Sequence, residues 1–216
     1  MRWKNENFPN PQEFSQKLDI PEEEILGLFN NLKPKLKKIP KVKSEDKLKK
    51  IDIVQDPDFD KRGVNALYRD GVFIISPKQK NVNDLIDDIV HEFAHHVETL
   101  FPENIYSDQR LINEFLKKRQ ELKFELQSEG YWLDQYDFDN LKYDEQFDNF
   151  LYKRVGGNML RMVTTGSFIR PYASVSLREY FATGFEAYYL GKQNTLEKIS
   201  PMLYDKINEL HHQNEY

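Results

Sequence analysis

Five histidines occur in the 216-residue chain, and three of them crowd together at His91, His95 and His96. The segment His91-Glu92-Phe93-Ala94-His95 sets two imidazoles four residues apart. On an α-helix that spacing is about 40° of rotation and about 6 Å of rise, so both rings reach one ion. Glu92 is turned about 60 to 100° away from them, placed to take a proton from a water rather than to cap the metal. These residue types in this order point to metal-assisted hydrolysis with Glu92 as general base. The chain has no Cys, which excludes thiolate nucleophiles, Cys-type zinc sites, iron–sulfur clusters and disulfides. Any metal must therefore rest on His and carboxylate. His96 falls on the border of the apolar arc, where a partly buried, hydrogen-bonded ring is expected, and His211 and His212 are expected to be solvated.

A catalytic Zn2+ takes three protein ligands and keeps one position open. No further His follows His95 at a suitable distance, so the third ligand must come from elsewhere in the chain. The best region is Ser176 to Glu186, where helical spacing lines up Glu179, Thr183 and Glu186 on one face and Phe181, Phe185 and Tyr188 on another. Ser176 and Glu179 also form a capping-box pattern, in which the carboxylate merely meets a backbone amide. On these grounds Glu179 and Glu186 both stay open as the third ligand.

The elements that must position these groups follow from periodicity. Residues 84 to 100 read as a helix, with Asn81 or Asn83 as N-cap and Pro102 preventing continuation. Leu85, Ile86, Ile89, Val90, Phe93, Ala94 and Val97 fill one half of its wheel, and Asp84, Asp88, His91 and His95 share the other. Upstream, Ile51 and Ile53 alternate with polar neighbours, and Asp70-Gly71 separates two apolar runs, the signature of a hairpin. A small antiparallel sheet is expected there. Further helices are expected at about 107 to 128, 143 to 154, 177 to 190 and 201 to 212, with 131 to 142 as a loop. The first 50 residues read as short helices broken by Pro21, Pro34 and Pro40. The resulting expectation is an α+β fold with a mostly helical C-terminal half. Residues 1-48 form a Lys-rich annex dispensable for the chemistry, and 49-216 form the domain that carries it.

The segments 91 to 95 and 172 to 190 resemble the active-site helices of the anthrax lethal factor-like zinc metallopeptidases, a family that includes the Pro-Pro endopeptidases. That family pairs its His-Glu-x-x-His helix with a later Glu-x-Phe-Ala-Glu-x-Phe helix and a Tyr seven residues before the first Glu. Glu179-Tyr180-Phe181-Ala182-Thr183-Gly184-Phe185 matches the second motif, and Tyr172 stands seven residues before Glu179. The resemblance implies a zincin-like fold, Glu179 as third zinc ligand beside His91 and His95, and Tyr172 as a donor to the oxyanion that develops during peptide hydrolysis. The chain departs from the pattern at Thr183, where the family has a second, supporting Glu. From Tyr172 to Tyr204 the chain is also similar to peptidase-like proteins encoded by bacteriophages of Gram-positive bacteria.

Composition bounds the partners. The net charge of -5 argues against general nucleic-acid binding, although residues 33 to 50 hold nine Lys against two acids and residues 121 to 148 hold nine acids against two Lys. No apolar run approaches the roughly 18 residues of a membrane span, and the N-terminal residues lack the apolar stretch of a secretory signal. The expectation is a cytoplasmic or phage-associated enzyme acting on a peptide or protein, with oligomeric state not encoded in the pattern. Two other classes fit parts of the sequence. One is a zinc-binding structural or scaffold component with little turnover. The other is a protein whose Lys-rich segment binds an acidic surface.

Overall fold

The computed structural model describes residues 10–36, 49–62, 64–79 and 81–212, so the middle of the Lys-rich run, including Pro40, lies outside the described residues. The chain divides into two compact units, one holding the described residues up to Leu100 together with His211 and His212, the other Phe101–Leu210.

In the first unit, α1 (Pro11–Leu18) begins where the Asn10 side chain accepts the Gln12 amide, and α2 (Glu22–Leu36) carries Glu22, Glu23 and Glu24 in its first turn, where the helix dipole favours them. The helix runs through Pro34, which was expected to end it. Three strands follow: β1 (Lys50–Ile53), β2 (Ala66–Arg69) and β3 (Val72–Ile75), with the short helix α3 (Pro57–Arg62) between the first two. The hairpin is where Asp70-Gly71 places it. Arg69 pairs with Val72, and both turn residues have positive φ, 52° and 85°, the backbone that a two-residue type I′ turn demands and that Gly supplies at little cost.

The sheet is mixed rather than antiparallel, because β1 lies parallel to β3 in the order β1-β3-β2. Alternation at Ile51 and Ile53 defines a buried face but is blind to strand direction, which the crossover through α3 and β2 decides. Helix α4 (Val82–Leu100) packs on β2, β3 and α2, burying Leu85, Ile89, Val90, Phe93, Ala94 and Val97, which are six of the seven positions of the expected apolar arc.

The second unit is helical. Helix α5 (Pro102–Tyr106) leads into α6 (Arg110–Ser128), and a loop through Leu133 and Phe138 reaches α7 (Glu145–Asn149). The helix expected to reach residue 154 changes pitch instead, since residues Phe150–Gly156 form a π turn before α8 (Gly157–Thr164). Then come a 3-10 turn (Pro171–Ser174), α9 (Leu177–Tyr189), α10 (Gln193–Ile199) and α11 (Pro201–His212). The short helices α5, α8 and α10 have too few turns to show a period.

Helix α9 is buried at every position except Arg178, so it is the core of this unit. At Gly184 a Cβ would meet the Leu203 side chain at 2.2 Å, which explains a helix-interior Gly despite its entropic penalty. The start of α11 is capped from α6. The Glu114 carboxylate accepts the amides of Met202 (2.9 Å) and Leu203 (3.1 Å) and the Tyr180 hydroxyl (2.7 Å), while Pro201, which lacks an N–H, sits ahead of them.

Candidate metal centre

Helix α4 is started by the Asn81 side-chain oxygen Oδ1, which accepts the amides of Asn83 (2.9 Å) and Asp84 (3.0 Å). From that start the 3.6-residue period brings His91 and His95 onto one face, their rings edge to face with centroids 4.9 Å apart. His95 is buried and His91 half-buried. Glu92 follows His91 at 5% exposure, offset around the helix as its position requires. His96 is buried too, sharing a hydrogen bond of 3.1 Å between its Nδ1 and the Tyr68 hydroxyl and lying among the rings of Phe73 and Phe93. It is the packed, hydrogen-bonded ring expected. At the C-terminal end His211 is half-buried and His212 exposed.

Two carboxylates on α4 bear on the imidazoles, Asp88 on the polar face expected from sequence and Glu98, which the sequence does not single out. Glu98 Oε2 lies 3.7 Å from His95 Nδ1. Carboxylates in this position orient ligating imidazoles and raise their basicity, and the signal for it was the i, i+3 spacing after His95. Asp88 accepts a hydrogen bond of 3.0 Å from the Gln79 amide. Burial pushes its carboxyl up to about 6, Gln79 opposes that, and the nearby Glu92 carboxylate adds to it.

On α9, Ser176 caps the helix by accepting the Glu179 amide at 3.2 Å, the first half of the capping box. Glu179 is 6% exposed. One turn on, Thr183 is 1% exposed, and its hydroxyl has no hydrogen-bond partner among the described residues. Glu186, the competing candidate from sequence, accepts a hydrogen bond from the Arg170 guanidinium. Tyr172 stands in the 3-10 turn, its ring 6.2 Å from that of Tyr152 on the π turn. The Tyr152 phenol is held above its ordinary value by burial, with Asp148 and Glu179 adding to the effect and Arg170 opposing it.

His91, His95 and Glu179 each offer a ligand atom, and these three atoms all lie within 4.8 Å of one another, close enough to bind a metal ion. Two imidazole nitrogens and a carboxylate oxygen drawn this close can share a proton or a cation among them. Nitrogen, nitrogen and oxygen are a donor set that Zn2+ accepts, and three protein ligands leave one coordination position for a substrate or water. Among the described residues no helix is long and apolar enough to cross a membrane. No protein-family model matches the chain, and neither any curated protein nor any solved structure matches it significantly.

Proposed function

We propose that this chain is a zinc-dependent endopeptidase of the lethal factor-like kind, with a zincin-like arrangement of sheet and helix α4. The observation that carries the reading is the mutual approach of His91, His95 and Glu179 within 4.8 Å, three groups separated by up to 88 positions in the chain. The resemblance of both segments to that family's zinc helices supports it. A Zn2+ held by these groups supplies Lewis acidity, polarising a carbonyl and lowering the pKa of water toward about 7.

The remaining work falls to the chain's own side chains. Glu92, adjacent to His91 and buried, takes the proton from water and later returns it to the leaving amine. Tyr172 donates a hydrogen bond from its hydroxyl to the developing oxyanion, a contribution of about 2.7 to 4 kcal/mol for a single donor. Glu98, 3.7 Å from His95 Nδ1, would support that ring electrostatically as a ligand. The substrate is a peptide or protein.

The test is cleavage profiling by mass spectrometry on a mixed peptide library, with wild-type protein beside Glu92→Gln. Wild-type cleavage that Glu92→Gln abolishes supports the reading. A zinc-loaded wild-type chain that cuts nothing contradicts it and favours a structural role for the metal.

A further inference from the structure

Tyr172 occupies a short turn packed on α9 and α8, in which the Ser174 hydroxyl also donates to the Pro171 carbonyl (2.7 Å). The 3-10 turn Pro171–Ser174 is closed by the Ala173 amide on the Arg170 carbonyl (3.1 Å) and by the Val175 amide on the Tyr172 carbonyl (3.1 Å), and 3-10 geometry makes such bonds poor ones. Both flanks of the turn are gripped by charged side chains, and what they hold also bears on where the phenol sits.

Downstream, the buried Arg119 guanidinium donates to the carbonyls of Ser174 (2.8 Å) and Val175 (3.2 Å). Upstream, Arg170 donates to Glu186, whose side chain is 6% exposed on α9. Between Arg170 and Tyr172 stands Pro171, whose ring fixes φ and transmits the anchor stiffly. Glu186 lies seven residues beyond Glu179, about 10 Å along the same helix. One helix thus carries the metal-binding carboxylate and the carboxylate that anchors the Tyr172 turn, which fixes the distance between them.

We propose that Glu186, acting through Arg170, is a positioning residue that sets where the Tyr172 hydroxyl points. The proposal rests on the reading of Tyr172 as the oxyanion donor. Glu186→Gln keeps the shape of the side chain and removes the charge that holds the guanidinium. Arg170→Gln cuts the same contact from its half-exposed end, where folding is least at risk.

The experiment is amide hydrogen exchange by NMR on the zinc-loaded full chain, followed by steady-state kinetics on a peptide from the library. Both variants are expected to raise exchange at Ala173 and Val175 about tenfold or more, with Tyr180 on α9 and Leu190 at its C-cap unchanged and one zinc retained. They are expected to lower kcat about tenfold with KM within twofold, and to have no further effect when Tyr172 is already Phe, because residues acting as a unit are not additive. Unchanged exchange at Ala173 and Val175 in both variants overturns the proposal, as does a kcat loss that persists in full in the Tyr172→Phe background. If Glu186→Gln does not fold, Arg170→Gln alone decides. A wild-type chain that cuts no peptide fails the peptidase reading instead, and loosened exchange in the variants still establishes the anchor.

Discussion

Two groups of buried polar side chains stand in contrast. Around α6 and α11, three buried cations are met by named acceptors: Lys118 by the carbonyls of Ser167 and Ile199 (both 2.7 Å), Arg119 by those of Ser174, Val175 and Asp137, and Lys206 by Asp108 (2.7 Å) and Glu209 (3.2 Å). Burial lowers the pKa of Lys118 and brings that of Arg119 down to about 10, and the carbonyls and carboxylates offset the desolvation. On α4 and α9, by contrast, His91, His95 and Glu179 turn ligand atoms toward one another. A cation met by carbonyls and carboxylates completes a structure; two imidazoles and a carboxylate this close form a donor set that fits a metal ion. The contrast separates polar burial that is paired within the fold from polar burial grouped closely enough to bind a metal ion.

The sharpest way to break the contrast is to change a residue of the second group without disturbing the first. Glu92→Gln is expected to retain zinc and the wild-type melting temperature while lowering kcat by about 10² to 10⁴, the usual contribution of a positioned general base. Measured turnover above about a tenth of wild type would remove Glu92 from that role. Tyr172→Phe, with one donor lost, should lower kcat about 10²-fold and leave zinc content unchanged.

The converse change belongs to the first group. Arg119 is 1% exposed, with its guanidinium 4.1 Å from the centroid of the Phe147 ring. Arg119→Ala strips the buried carbonyls of Ser174 and Val175 and the part-buried carbonyl of Asp137 of their donor, and chemical denaturation should show a loss of about 3 kcal/mol. If the mutant instead lost zinc at unchanged stability, the division between the two groups would be wrong. Glu98→Gln sits between them. Its zinc dissociation constant is expected to rise about tenfold, the low end for removing a carboxylate behind a ligating His.

The smallest effect is a pH dependence. The Lys206 ammonium, followed by Arg110, holds the Asp108 carboxyl down to about 2 from its ordinary 3.8. Its folded pKa is depressed, so this ion pair stabilises the fold fully above about 4 and is lost as pH falls toward 2. Asp108→Asn should therefore lower the melting temperature slightly at pH 7, and the difference from wild type should close between pH 4 and 2. Asp108 is partly exposed, so the shift is modest.

What the sequence made legible follows the range of each signal. Helix α4, the Asp70-Gly71 turn and α11 from Pro201 to His212 are local patterns and readable, whereas the sequence leaves the α4 cap open between Asn81 and Asn83 and the structure selects Asn81. The parallel pairing of β1 with β3 depends on residues 22 apart in the chain and leaves no local mark. Pro34 was read as a stop, yet α2 continues through it. The π turn at 150–156 sits within an unbroken apolar period, so it was invisible as a change of pitch. At the site, His91 and His95 were fixed by spacing alone. The choice of Glu179 over Glu186 was not: both share one face of α9, and it took the resemblance to choose, while the structure gives Glu186 its own partner in Arg170. Glu98 was missed because a carboxylate three residues after a His is commonplace until the ring is known to matter.

The central claim is that His91, His95 and Glu179 together hold one metal ion. The direct measurement is zinc content per chain by elemental analysis after growth with added zinc and exhaustive desalting, on wild type, His95→Ala, Glu179→Ala and Glu186→Ala. The account predicts one zinc in wild type and in Glu186→Ala, and a severe loss in the other two. A wild-type chain without zinc, or a Glu179→Ala chain that keeps it while Glu186→Ala loses it, would contradict the account.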